Sequence, residues 1–443
     1  MPPALDPSPA AHLPASYVLA NARVPACLLA ERSGPADAEG LVALDIAITD
    51  GRIAALTPPG AGGQDLPRLP LAGRLALPGL VDIHTHLDKG FIWPRAPNPD
   101  GSFEGAVRAV LADRVNWSEE DIARRFDFAL RCAYAHGTVA IRTHLDSDGE
   151  PAEAAWRVFA DMRDRWAGRI DLQAVGLMPI ERMLDAAAVD RLIGLVREHG
   201  GRLGTYTYVT PHLDAGLERL FDAAERFGLA LDLHIDERDS EARALHDIAV
   251  LTLRRRFEGP ILAGHCCALA LKDEAEIDRT LDLVAQAGIA VVALPLCNLY
   301  LQDRSAARTP RWRGITLLHE MAARGIEVMV ASDNTRDPFY AYGDLDLVEV
   351  WREANRIAHL DHPFGDWPAI IARTPARHMG VAAGTLAPGA RADLLVFTAR
   401  SLNEVLTRPQ ADRIVLRAGK AIDRALPDYG ELDDRMAPKD ARG

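Results

Sequence analysis

The chain has 443 residues, of which 48% are hydrophobic and 26% charged, with a formal net charge of −13. That balance describes a folded globular protein with a sizeable core, and the length calls for a large domain plus a smaller one. It argues against general nucleic-acid binding, which needs clustered Lys and Arg, and no apolar run reaches the roughly 18 residues of a membrane span. The expected partner is a small molecule rather than a nucleic acid or a membrane, with a homo-oligomer possible.

In chain order, residues 1–16 read as a loose Pro- and Ala-rich tail without the basic start and apolar core of a signal peptide, which points to a cytoplasmic protein. Cys27, Cys132, Cys266, Cys267 and Cys297 form no CxxC pair and suit reduced core positions. Residues 17–72 alternate in short segments, Tyr17 to Leu19, Leu41 to Ile48 and Arg52 to Leu56, broken by turns such as Asp50-Gly51. They predict part of a small β-sandwich. Residues 384–443 return to that pattern in Leu394 to Phe397 and Ile414 to Leu416, so both chain ends are expected to build the sandwich.

Between them, residues 73–383 alternate apolar strand-like runs with amphipathic stretches such as Glu119 to His136, Ala152 to Trp166, Ala186 to His199 and Glu274 to Ala287. Strand followed by helix, repeated, predicts a parallel sheet with crossover helices, and the length admits eight units. The predicted fold is α/β, a (β/α)8 TIM barrel with a small β-sandwich, with an open doubly wound sheet as the alternative.

A barrel carries its chemistry at the C-terminal ends of its strands. The polar residues that follow apolar runs are His84 and His86, His144 and Asp146, His212, His234 and Glu237, His265, Asn298 and Asp333. His84 and His86 sit two apart and so share a strand face, where they can grip one ion. Buried imidazoles and carboxylates cost several kcal/mol unless paired or ion-bound, so one shared site accounts for the whole set.

Taken together, the segments Pro78 to Asp88, Arg142 to Asp146, His234 to Glu237, Gly264-His265, Pro295 to Gln302 and Ser332 to Asn334, followed by Asp337 to Tyr340, resemble the amidohydrolase superfamily and its cytosine deaminase-like branch. The resemblance implies one divalent metal, Zn2+ or Fe2+, held by His84, His86, His234 and Asp333, with water as nucleophile. It also implies that Glu237 carries a proton to a ring nitrogen, that His265 orients the hydroxide, and that Asp333 passes a proton to the departing ammonia. Binuclear members usually bridge their ions with a lysine on the fourth strand. None of the four lysines (Lys89, Lys272, Lys420, Lys439) falls in the middle strands, so a single ion is expected, a bridging glutamate being the exception.

The branch's substrate-reading glutamine is replaced here by Pro179 or Ile180, its second aspartate by Asn334 and its tryptophan by Phe339. A changed reading edge changes the substrate. The expected reaction is hydrolytic deamination of an aminated N-heterocycle such as a substituted pyrimidine, a pterin or a triazine. The alternative is hydrolysis of a cyclic amide or an N-alkylamine. Arg142, His212, Asn298, Asn334 and Phe339 are the candidate substrate contacts.

Overall fold

The computed structural model describes residues 13–31, 34–408 and 412–436, so most of the expected N-terminal tail lies outside the described residues. The chain opens with β1 (Ser16–Pro25), β2 (Leu41–Thr49), β3 (Arg52–Thr57) and β4 (Arg68–Pro70), which form a sheet in the order β3-β2-β1-β4. Asp50 and Gly51, both at positive φ, make the two-residue hairpin between β2 and β3.

A second four-stranded sheet joins β5 (Ala76–Pro78) to three strands from the far end of the chain, β14 (Leu394–Phe397), β15 (Arg413–Arg417) and β16 (Lys420–Ala421), in the order β16-β15-β14-β5. Tyr17, Leu19 and Ile46 of the first sheet share one buried core with Leu394, Val396 and Leu416 of the second. The reading that starts the barrel segment at residue 73 puts β5 in the barrel, whereas it pairs antiparallel with β14. Pro78, which has no N–H to give, ends that strand, and the chain enters the barrel only at Leu80.

The barrel is one parallel sheet of eight strands: β6 (Leu80–Thr85), β7 (Thr138–Asp146), β8 (Asp171–Pro179), β9 (Arg202–Tyr206), β10 (Leu231–Ile235), β11 (Ile261–His265), β12 (Ala290–Ala293) and β13 (Val328–Val330). A bridge between Thr85 and Asp333 brings the last strand back to the first.

Local chemistry sets where the crossover helices begin and end. In the helix Glu119–His136, Ser118 accepts from the Asp121 N–H and three acidic residues fill the first turn. Gly137, at φ 103°, stops it. Its Ile122, Phe126, Ala129 and Ala133 recur at helical spacing and are buried. Register then sets the height of the site: in the β10–β11 pairing His234 lies opposite Gly264, and Ile235 opposite His265.

Candidate metal centre and cavity

Four residues at the rim hold left-handed backbone despite having side chains: Asp236 at φ 46°, His265 at φ 67°, Cys266 at φ 53° and Asp333 at φ 60°. Such conformations cost of order 1–3 kcal/mol each and concentrate at functional sites. At Asp333 the turn directs the carboxylate to the barrel axis while its N–H bonds back to the His84 carbonyl at 2.9 Å.

Four side chains converge there, all buried. His234 Nε2 lies 3.2 Å from His84 Nε2 and 3.0 Å from His86 Nε2. Asp333 Oδ1 lies 3.5 Å from the former and 3.2 Å from the latter. A tetrahedral ion about 2.0–2.1 Å from each ligand would space the ligand atoms roughly 3.3 Å apart. Neither oxygen of Asp333 has a hydrogen-bond partner, although the residue is buried. Burial lowers His86 and His234 well below the ordinary histidine range, keeping them neutral as ligands must be. Burial works against ionisation of Asp333, but His84, His86 and His265 beside it hold it well below the usual carboxylate range. The set fits a divalent cation in spacing, donor type and charge.

His265 also brings a ligand-type atom within 4.8 Å of those of His84, His234 and Asp333. Its Nδ1, however, lies 2.9 Å from Asn298 Nδ2, and with that amide N–H as the donor the ring proton sits on Nε2. An N–H donor beside the ligand set orients water rather than ligating. Burial pushes His265 down to about 3, so the ring stays neutral. Glu237 approaches it at 3.7 Å and is pushed up to about 8 by burial and by the nearby Asp333 charge. A carboxyl held protonated near neutral pH is equipped to deliver a proton.

His86, His234, Glu237 and His265 line a cavity of about 280 Å³ together with Asn334 and Phe339, while His84 and Asp333 are buried and do not line it. The cavity adjoins a second chamber of about 440 Å³ that shares Phe103, Val107 and Tyr206 with it. Pro179 lines the first chamber, while Ile180 is buried behind it.

Three of the residues expected to touch substrate are placed elsewhere. Arg142 is buried deeper in the barrel, paired with Asp232 at 2.8 Å and donating to the His378 carbonyl at 3.0 Å. His212 is exposed at the start of the helix Leu213–Phe227, because β9 already ends at Tyr206. Asn298 is spent on His265. Conversely, Lys89, Phe103, Arg114 and Tyr206 line the cavity without having been singled out. Lys89 pairs with Asp146 at 3.2 Å, and its position three residues after His86 was the available signal.

Residues 116–422 match the model of the family described as "Amidohydrolase family". The chain is 52% identical over 422 residues to pterin deaminase of Rhizobium rhizogenes, covering 95% of this chain and 96% of the relative. It is 24% identical to N-isopropylammelide isopropyl amidohydrolase of a Pseudomonas species, over 79% of this chain and 86% of that one. Among solved structures, 5-methylcytosine deaminase of Klebsiella pneumoniae liganded with 5-fluorocytosine superposes with a TM-score of 0.79 at 25% identity, covering 93% and 98% of the two chains. The chain belongs to the amidohydrolase family and is a hydrolase of C–N bonds other than peptide bonds.

Proposed function

We propose that this chain is a deaminase that uses one divalent ion, Zn2+ or Fe2+, to replace the exocyclic amine of a pterin with an oxo group, releasing ammonia. The observation that carries the reading is that Glu237 and His265 line one cavity together with His86 and His234 of the four-ligand cluster. Substrate class comes from the 52% identical relative, a pterin deaminase. The cavity of about 280 Å³ stands near the lower end of the roughly 300–1,000 Å³ range of ligand pockets, which suits a flat ring system, and the adjoining chamber leaves room for a substituent on it.

A divalent cation held by His84, His86, His234 and Asp333 would supply a hydroxide nucleophile by lowering the pKa of water to about 7. Glu237 delivers its proton to the ring nitrogen next to the amine-bearing carbon, so that nitrogen need not carry the charge that attack creates. His265, with Nδ1 engaged by Asn298, donates from Nε2 and fixes the attacking oxygen. Asp333 accepts the first proton lost by water and returns it to the amine; as the C–N bond breaks and ammonia leaves, the remaining hydroxyl proton passes to Glu237, which gives the oxo group and restores the acid. Asn334 and Phe339 line the cavity that would take the ring.

We place the enzyme in the cytoplasm, which suits five free, buried cysteines. No helix among the described residues is long and apolar enough to cross a membrane.

The test is ammonia release from pterin, cytosine, a 2-aminotriazine and an N-alkylated triazine by the metal-reconstituted enzyme. The reading requires ammonia and an intact lactam ring from pterin. Release of an alkylamine from the N-alkylated triazine without turnover of pterin would favour the reading suggested by the N-isopropylammelide relative. A new carboxylate would mean ring opening and a cyclic-amide hydrolase.

A further inference from the structure

The three imidazoles of the centre have no protein hydrogen-bond partner at their second ring nitrogen. Metal-ligating histidines almost always donate their second nitrogen to a carboxylate, a carbonyl or water, which fixes tautomer and ring angle. Here Nδ1 of His84, of His86 and of His234 is each buried without a protein hydrogen-bond partner. Packing is the protein's own hold on the rings.

One side chain touches all three. His144, fully buried on β7, lies 3.9 Å from the His84 ring centroid with the planes tilted by 35°. It meets His234 edge-on at 4.8 Å and 88°, and His86 at 5.5 Å. His144 is anchored from below: its Nε2 lies 3.1 Å from Asp232 Oδ1, while Asp232 Oδ2 accepts from Arg142 at 2.8 Å. Arg142 is fixed in turn by the His378 carbonyl and by Gln173 Oε1, both at 3.0 Å. The opposite flank of His84 is closed by backbone, since a Cβ on Gly264 would stand 3.1 Å from His84 Cε1.

We propose that His144 is a positioning residue: a floor ring, locked by Asp232 and Arg142, that sets the angle of His84 and through it the geometry of the metal ligands. This rests on the metal centre proposed above but not on pterin as substrate. The carboxylate–histidine pair that elsewhere supports a ligating histidine by hydrogen bonding here supports it by ring stacking. Such support has the same consequence for affinity.

The test uses full-length wild type, His144→Ala, His144→Phe and Asp232→Asn, each stripped and titrated with Co(II) against a competing chelator while the visible absorption of the bound ion is recorded. Wild type is titrated first: if it takes up no Co(II), the metal centre itself fails, whatever His144 does. Given wild-type binding, His144→Ala is expected to lose about 10- to 100-fold in affinity with an altered Co(II) spectrum. His144→Phe, which restores an aromatic face, is expected to recover most of both. Wild-type affinity and spectrum in His144→Ala would overturn the proposal. So would a drop from two bound ions to one, which would make His144 a ligand. Should His144→Ala fail to fold, an unchanged Co(II) spectrum in Asp232→Asn overturns it instead, and a shifted one supports it.

Discussion

The main-chain N–H of Asp333 donates to the carbonyl of His84 at 2.9 Å, and the side chains of the same two residues face each other across the ligand cluster at 3.5 Å. The seam where the last barrel strand meets the first is thus also the place where the ion would bind. β13 is only three residues long, so the seam has little other pairing to hold it. A cation bound there clamps the closure, and ligand present at 100 times its Kd adds about 2.7 kcal/mol to stability. Chelation is expected to lower the thermal unfolding midpoint by a few degrees, reversed by Zn(II) and absent in Asp333→Ala. Identical melting of the stripped and loaded proteins would contradict the arrangement.

Glu237→Gln keeps the size and much of the polarity of the side chain but removes the transferable proton. Loss of a positioned general acid typically lowers kcat by about 10²- to 10⁴-fold. That drop is expected with bound metal unchanged, checked by steady-state ammonia release alongside metal analysis. Wild-type kcat in the variant would remove Glu237 from the reaction.

Asn298 acts through His265. Without its amide, Nδ1 is left buried and unpaired, and the ring is free to carry its proton on the wrong nitrogen. Asn298→Ala is expected to reduce kcat about 10- to 100-fold with KM nearly constant. A raised KM at constant kcat would instead make Asn298 a substrate contact.

Acid stability follows from carboxylates paired in the core. Asp121 is opposed by burial, but the Arg125 and Arg95 guanidiniums hold it below the ordinary aspartate range. A depressed folded-state pKa contributes stability that is present above the unfolded aspartate value, about 3.9, and is lost as pH falls through the lower folded value. Asp121→Asn is expected to cost about 3 kcal/mol at neutral pH, measured by urea unfolding, because it leaves buried guanidinium charge behind. The gap between wild type and variant should narrow as pH falls below about 4. A gap that stayed constant down to pH 2.5 would contradict this role.

How much of this was legible in the sequence is clearest on β7. Arg142, His144 and Asp146 stand two apart, so they share one strand face. That spacing does not give depth: Arg142 sits at the lower level with Asp232, His144 beneath the ligands, and Asp146 at the cavity wall beside Lys89. His212 was misplaced for another reason, since the run from Tyr206 to Pro211 leaves the sheet at its first residue and Tyr206 is the one lining the cavity. The alternation of strands and helices was readable because each element carries its own periodicity. The pairing of β5 with β14 was not, because it joins segments more than 300 residues apart with no local signature. Phe103 escaped for a similar reason: it lies on a helix inserted after β6, whose cavity-facing side shows only in three dimensions.

The claim beneath all of these is that His84, His86, His234 and Asp333 together hold one ion. Metal analysis of the reconstituted wild type and of the His84→Ala, His234→Ala and Asp333→Ala variants, each verified as folded, tests it most directly. The account predicts one divalent ion per chain in wild type and near-complete loss in every variant. Two ions per wild-type chain, or a tightly bound ion retained after removal of Asp333 or His234, would contradict it.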